Sequence, residues 1–180
     1  MSKKVLSLGA IAMDIVLNSH ELPKDDGFAF IHHEQMMPGG SASNVSVSAA
    51  HLGMEVYQTG KIGDDNVGKA FMKTLIEDGV NAEYVVEQKN GTTLHTYIIV
   101  APKGKHCIFA NPGDTVTTLV PKELPENIMD SMDIFYNDMF SPKAALWIAD
   151  KAVRFKKNLC FIICNARHHL WRSVERAGKR

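Results

Sequence analysis

Long apolar runs and cysteine are both scarce in this sequence of 180 residues. No apolar run approaches the roughly 20 residues that a membrane-spanning helix needs, so we expect no membrane partner. After the first four residues, the apolar run Val5 to Leu8 is too short to form the core of a signal peptide. The sequence therefore predicts a cytoplasmic protein.

The three cysteines, Cys107, Cys160 and Cys164, have no spacing typical of a disulfide framework. Cys160 and Cys164 lie in a predicted strand, which would separate their α-carbons by about 13 Å. A disulfide requires a separation below about 7 Å. The same extended geometry keeps both thiols from converging with His168 and His169 on a metal ion. We therefore predict buried, reduced thiols and no metal site.

Net charge is also absent, because 20 basic residues balance 20 acidic ones. Without a basic field the chain lacks the usual driving force for nucleic-acid binding, and we expect no nucleic-acid partner. The balance is uneven along the chain: residues 1–150 hold 11 basic and 19 acidic residues, and residues 151–180 hold nine and one. The basic end is either a solvated helix face or a sign that the chain stops partway through a larger unit.

Hydrophobic periodicity predicts alternating strands and helices, and hence one α/β domain with a mostly parallel sheet. The predicted buried strands are 5–9, 55–61, 134–136 and 159–163. The predicted helices run from Asn44 to Leu52, from Asp64 or Asp65 to Gly79, and from a capping Ser141 to about Arg154. Two exposed β segments, 15–37 and 92–110, are expected on an edge or flap, and the second is a hairpin closed by Pro102-Lys103-Gly104.

Gly39 and Gly40 precede the first predicted helix, and Asn44 lies near its start. Paired glycines let a ligand approach the backbone closely, and a helix N-terminus offers unpaired N–H groups. An asparagine amide can both donate to and accept from a hydroxyl group. The combination suits a polyol or a sugar phosphate, although two glycines before a helix are also ordinary turn chemistry.

The ordered series Gly39-Gly40, Asn44, Ser46, Gly53 and Gly63 resembles the first sequence signature of the ribokinase-like (PfkB) carbohydrate kinases. Residues 63–68 match the family's Gly-x-Asp-x-x-Gly turn, and Asn165-x-Arg167-x-x-x-Trp171 is similar to its Asp-x-Asn-x-Arg segment. The resemblance implies a three-layer α/β sandwich, ribokinase-like, with a small β lid built from about 15–37 and 92–110. It implies that residues 1–180 are the N-terminal part of such a domain, truncated on the C-terminal side.

The resemblance assigns a sugar or sugar acid as the small-molecule partner. Asp14 would accept hydrogen bonds from two adjacent hydroxyls, and Gly39, Gly40 and Asn44 would line the same sugar. Arg167 would pair either with an anionic substrate group or with a local acid. The aromatic rings of the lid would either contact the sugar or belong to the core; these are His95, Tyr97 and Phe109.

Three positions depart from the family pattern. Ile163 stands where many relatives have an aspartate, which puts a polar role for that strand end in doubt. Ser41 replaces the lysine of ribokinases proper, which weakens ribose as the substrate. Asp114 stands where many relatives have a small residue, and it would either bind a substrate hydroxyl or cap the next segment.

The family's catalytic base, an aspartate in a Gly-Ala-Gly-Asp motif, has no counterpart in the 180 residues. The resemblance therefore implies an ATP- and Mg²⁺-dependent sugar kinase of which this chain is the sugar-binding part, and we expect the chain alone to bind ATP weakly and to transfer no phosphoryl group. The alternatives are a non-catalytic sugar-binding or regulatory module, a remnant of an interrupted kinase gene, and a bare structural domain. Relatives often pair through their lids, so a homodimer through the lid is expected.

Overall fold

The structure is a computed structural model that describes residues 2–161 of the chain. Within these residues, the chain forms nine strands and three α-helices. The strands are β1 (Lys4–Leu8), β2 (Ala12–Ser19), β3 (Ile31–Gly39), β4 (Glu55–Gly63), β5 (Asn81–Gln88), β6 (His95–Val100), β7 (His106–Asn111), β8 (Ile134–Asn137) and β9 (Asn158–Phe161). The helices are α1 (Ser41–His51), α2 (Asn66–Glu77) and α3 (Pro142–Arg154).

The main sheet has the strand order β5-β4-β1-β8-β9, and every neighbouring pair is parallel. This confirms the predicted parallel sheet. Sequence periodicity did not predict β5, because the apolar residues of its sequence NAEYVVEQ neither alternate strictly with polar residues nor form a continuous apolar run. The central strand is β1, and because β8 pairs parallel with it, the carboxyl ends of β1 and β8 lie side by side.

The main sheet separates two apolar cores. On one face, α1 and α2 cover β1 and β4, and Phe71 and Leu75 of α2 are fully buried there. On the other face, α3 and the irregular segment 116–132 cover β1 and β8, with Phe135 and Ile148 fully buried. The predicted three-layer α/β sandwich is therefore confirmed.

The helix boundaries follow local chemistry. Asp65 caps α2 as expected, because its carboxylate accepts a hydrogen bond from the Gly68 backbone N–H at 2.8 Å. α1 begins at Ser41, three residues before the predicted start. The predicted side-chain cap at Ser141 is wrong: its hydroxyl donates instead to the Val116 carbonyl at 3.0 Å and fastens α3 to the irregular segment.

The irregular segment is also fastened to the main sheet by a buried ion pair. The ammonium group of Lys61, on β4, lies 2.7 Å from the Glu123 carboxylate, and the whole Lys61 residue is 8% exposed. Burial raises the pKa of Glu123, but hydrogen bonds from Lys61 and from the Val120 backbone outweigh it and hold that pKa below its usual value. Breaking such a pair on one side leaves a buried charge without its partner.

A second, smaller sheet has the strand order β3-β2-β6-β7. It contains both segments that were predicted as exposed β structure, and β6 and β7 form the predicted hairpin across Pro102–Gly104. In the β2–β6 pair the strands are parallel, whereas β3 and β7 pair antiparallel at the two edges. The β1–β2 connection at residues 9–11 joins this sheet to the main one.

The cysteines differ from the prediction in their exposure. Cys160 is exposed on β9 and Cys107 is half-buried on β7, so the expected burial of the thiols is wrong for Cys160. Cys164, His168 and His169 lie outside the described residues.

No helix within residues 2–161 is long and apolar enough to cross a membrane.

Candidate sugar-binding site

Asp14 lies half-buried on β2, where the second sheet leaves the main one. Its neighbours in register are Met37 of β3 and Thr96 of β6. The Thr96 hydroxyl donates a hydrogen bond to Oδ1 of Asp14 at 2.5 Å. This bond fixes the orientation of the carboxylate and leaves acceptor capacity on both oxygens, since an ionised carboxylate offers about four acceptor positions.

Gly39, the last residue of β3, and Gly40, which follows it, make room for this carboxylate and for the chain beside it. A Cβ on Gly39 would lie 2.3 Å from Oδ2 of Asp14, so any larger residue would push the carboxylate away. Gly40 has φ +92°, and a Cβ there would lie 2.3 Å from the Ala10 carbonyl oxygen. The structure thus brings Asp14, Gly39 and Gly40 together, as a shared site requires.

Asn44 lies in the first turn of α1, immediately after these glycines. Its backbone N–H donates to the Gly40 carbonyl at 2.9 Å, and its side chain is exposed to solvent. The amide is therefore free to bind a ligand, but its convergence with Asp14 on one guest stays a prediction.

The three predicted rings lie on the other face of the second sheet from Asp14. His95 and Tyr97 alternate with Thr96 along β6, and Tyr97 pairs directly with Phe109 of β7. Because side chains alternate between faces along a strand, Thr96 shares the face of Asp14 and the three rings share the opposite face. The His95 and Tyr97 rings pack edge to face, 5.7 Å apart, and Phe109 is 64% exposed.

Comparison with known proteins decides the family. The family model described as pfkB family carbohydrate kinase matches residues 2–177. The chain belongs to the pfkB family of carbohydrate kinases. It is 30% identical to the ribokinase of Bacillus subtilis over 148 residues, which cover 72% of this chain and 50% of that protein.

A second relative agrees with this membership, and a solved structure shows the same fold. The chain is 31% identical to an ATP-dependent ribose-1-phosphate kinase of Halopiger xanaduensis, over 83% of this chain and 50% of that protein. It shares the fold of the Arabidopsis thaliana ribokinase complexed with ribose and ATP, with a TM-score of 0.74 at 21% identity, over 91% of this chain and 54% of that one. The chain spans about half the length of the curated relatives it matches.

The pfkB-type Gly-x-Asp-x-x-Gly turn at residues 63–68 has a structural role that its spacing alone did not reveal. Besides capping α2, the Asp65 carboxylate accepts hydrogen bonds from the Thr93 backbone N–H at 2.9 Å and from the Thr93 hydroxyl at 2.7 Å. The Gly63 backbone N–H in turn donates to the Thr93 hydroxyl at 2.9 Å. Thr93 is fully buried just before β6, so this turn anchors the root of the second sheet to α2 and β4.

We expect an Asp65→Asn variant to be less stable than the native chain at pH 7 by about 1–2 kcal/mol, because the amide oxygen accepts hydrogen bonds without charge assistance and the amide NH2 group cannot accept one at all. Burial raises the pKa of Asp65, but the bonds from Thr93 and Gly68 outweigh it and hold the pKa below its ordinary value of 3.8. The stabilisation is therefore present above that value and fades as the pH falls through the lower native pKa. Denaturant unfolding at pH 7, 4 and 3 measures the free energy of unfolding of both chains, and the difference between them should shrink as the pH falls.

Asp64→Asn is the matched control for this prediction, because Asp64 lies in the same turn but outside this hydrogen-bond network. We expect it to change the free energy of unfolding by less than about 0.5 kcal/mol at each pH. Equal effects of the two variants would contradict the anchoring role of Asp65.

Other predicted residues of this pfkB-family chain have simpler outcomes. Asp114 accepts a hydrogen bond from the Thr92 backbone N–H at 2.8 Å, so its carboxylate caps a neighbouring segment at the root of β6. Arg167 and Ile163 lie outside the described residues.

Sequence reasoning missed Thr96 and a buried acid, Asp138, which directly follows β8. A polar residue directly after a buried parallel strand is the signal that could have found Asp138.

Proposed function

We propose that this chain is the sugar-binding part of an ATP-dependent sugar kinase, and that its guest lies between the Asp14 carboxylate, the Gly39-Gly40 backbone and the Asn44 amide. One observation carries the proposal: the Asp14 carboxylate is held by Thr96 against a glycine that leaves no side chain in front of it. That arrangement is costly for an idle surface acid and suits a binding group.

The chemistry of these groups matches adjacent hydroxyls of a polyol. An ionised carboxylate can accept from two neighbouring hydroxyls at once, with hydrogen bonds that are stronger than neutral ones. The glycine backbone lets the ring of a sugar approach closely. Asn44 can donate to one hydroxyl and accept from another, which fixes the orientation of the ring. The second sheet would act as the lid that excludes water from the bound sugar.

ATP and Mg²⁺ belong to this proposal through the family, and the phosphoryl group would pass to a sugar hydroxyl. Among the described residues, the glycine-flanked start of α1 is the feature that most resembles a phosphate cradle. It does not fit a phosphate, because the Asp138 carboxylate already accepts a hydrogen bond from Ser41 there. We therefore propose that the chain alone holds ATP weakly and does not transfer its phosphoryl group.

Calorimetric titration of the purified chain with D-ribose, D-fructose, D-ribose 1-phosphate and D-gluconate tests the proposal. We expect at least one sugar to bind, and we expect no sugar-dependent ADP formation when Mg²⁺ and ATP are added. Failure of every sugar to bind would favour a structural domain over a sugar-binding one. Sugar-dependent ADP formation would contradict the proposal that the chain alone binds sugar without transferring the phosphoryl group of ATP.

We also propose that the second sheet pairs with a second copy of this chain. The support is a set of exposed apolar side chains on and beside this sheet: Phe28 and Phe30, which precede β3, are 79% and 78% exposed, and Phe109 on β7 is 64% exposed. Several large apolar side chains left exposed on and beside one small sheet are typical of an interaction surface.

A further inference from the structure

Asp138 is a buried acid at the centre of the molecule. It directly follows β8, and the whole residue is 2% exposed. Because β8 pairs with β1, Asp138 lies beside the β1–β2 connection that leads to Asp14; its backbone N–H donates to the Leu8 carbonyl. A charge so deeply buried needs several hydrogen bonds to persist.

Three chain segments supply those hydrogen bonds. Oδ2 of Asp138 accepts from the Ala10 backbone N–H at 2.8 Å and from the Ser41 hydroxyl at the start of α1. Oδ1 accepts from the Phe140 backbone N–H at 3.0 Å. The packing is close, since a Cβ on Gly9 would lie 2.1 Å from the carboxylate. One side chain therefore fastens the connection before Asp14 to the helix that carries Asn44.

The negative charge of Asp138 also stabilises the N-terminus of α1 electrostatically. The helix has no side-chain cap at Gly40 and no acidic residue in its first turn, so its own sequence leaves the positive N-terminal end of the helix dipole without a compensating charge. Asp138, 97 residues away from Ser41 in sequence, supplies that negative charge through the Ser41 hydroxyl.

We propose that Asp138 is a positioning residue of the sugar site and that its charge selects neutral sugars over anionic ones. The carboxylate holds the segments carrying Asp14 and Asn44 in one geometry. Its negative charge also compensates the positive end of the α1 dipole. An anionic substrate group placed at the α1 N-terminus would therefore be repelled by Asp138. The inference rests on the proposed function and narrows its substrate class to neutral polyols.

Binding to the full chain tests the inference, with D-ribose and D-fructose as neutral probes and D-gluconate and D-ribose 1-phosphate as anionic ones. In Asp138→Asn we expect at least tenfold weaker binding of whichever neutral sugar binds best. We also expect the ratio of neutral-sugar affinity to anionic-sugar affinity to fall, because the negative charge beside the α1 N-terminus is gone. A general loss of binding would lower both affinities equally and leave this ratio unchanged. An unchanged ratio and affinity would overturn the proposal.

Ser41→Ala separates charge from positioning, because it keeps the Asp138 charge and removes one of its hydrogen bonds. We expect a threefold to tenfold loss of neutral-sugar affinity with the neutral-to-anionic ratio preserved. This variant also decides the positioning role if Asp138→Asn does not fold: native affinity in folded Ser41→Ala would contradict it.

Amide hydrogen exchange without any sugar distinguishes failure of the inference from failure of the proposed function. In Asp138→Asn we expect the amides of Ala10, Phe140 and the first turn of α1 to exchange at least tenfold faster, while those of α2 stay unchanged. If the native chain binds no sugar, the proposed function fails and the substrate preference fails with it, and exchange still decides the anchoring. If these amides exchanged in Asp138→Asn as slowly as in the native chain, the anchoring role of Asp138 would be wrong.

Discussion

Replacing Asp14 with asparagine is expected to weaken sugar binding about 100-fold or more. The substitution preserves the size of the side chain and removes its charge, so two hydrogen bonds from sugar hydroxyls lose their charge assistance. Hydrogen bonds to charged groups contribute roughly 1.5–3 kcal/mol each, and each 1.4 kcal/mol changes an affinity about tenfold. Calorimetric titration with the best-binding neutral sugar measures the loss, and circular dichroism checks that the variant is folded.

Two further variants make this result specific. Gly39→Ala leaves Asp14 chemically intact but places a methyl group 2.3 Å from its Oδ2, so we expect a loss of affinity of at least tenfold without any change of charge. Asp150→Asn removes an equivalent charge from α3, where Asp150 is exposed and pairs with Arg154, and it should bind sugar normally. Folded Asp14→Asn protein that binds within threefold of the native chain would contradict the proposed role of Asp14.

The sequence could predict the parts of the site that local pattern determines. The glycine pair precedes a helix start, which is visible within a few residues, whereas Asp14 was assigned through the resemblance to the family. Thr96 and Asp138 were not predictable in this way. Thr96 meets Asp14 only because β2 and β6 pair in one particular register, and Asp138 meets Ser41 only because β8 lies beside β1.

The same distinction explains the fold. α2 was predictable because its capping Asp65, its apolar stripe and Gly79 all lie in one stretch. The segment 116–132 was not, although it buries Leu119, Ile128 and Met132 under the main sheet. Its apolar residues follow neither the strand period nor the helix period, because irregular backbone turns them toward the core one at a time.

Replacing Gly63 with alanine is expected to destabilise the chain by about 2–3 kcal/mol, in the upper part of the usual range of about 1–3 kcal/mol for overpacking a tight site. Its Cβ would lie 2.0 Å from the Gly91 carbonyl oxygen and 2.9 Å from the Thr92 nitrogen. Both are backbone atoms, so the chain at the root of β6 must move as a whole. The movement would also stretch the hydrogen bond from Gly63 to Thr93. Denaturant unfolding measures the destabilisation.

Gly79→Ala shows whether crowding or backbone conformation causes the loss. Gly79 has φ +81° with no atom within 4 Å of a Cβ, so alanine there would meet only conformational strain, about 1–2 kcal/mol. Crowding at residue 63 should also speed hydrogen exchange at the Thr93 amide and weaken sugar binding, since the root of the second sheet shifts while α2 stays folded. Strain at residue 79 should do neither. If Gly63→Ala left the Thr93 amide protected, the close contact with residue 91 would not be what requires glycine in this pfkB-family turn.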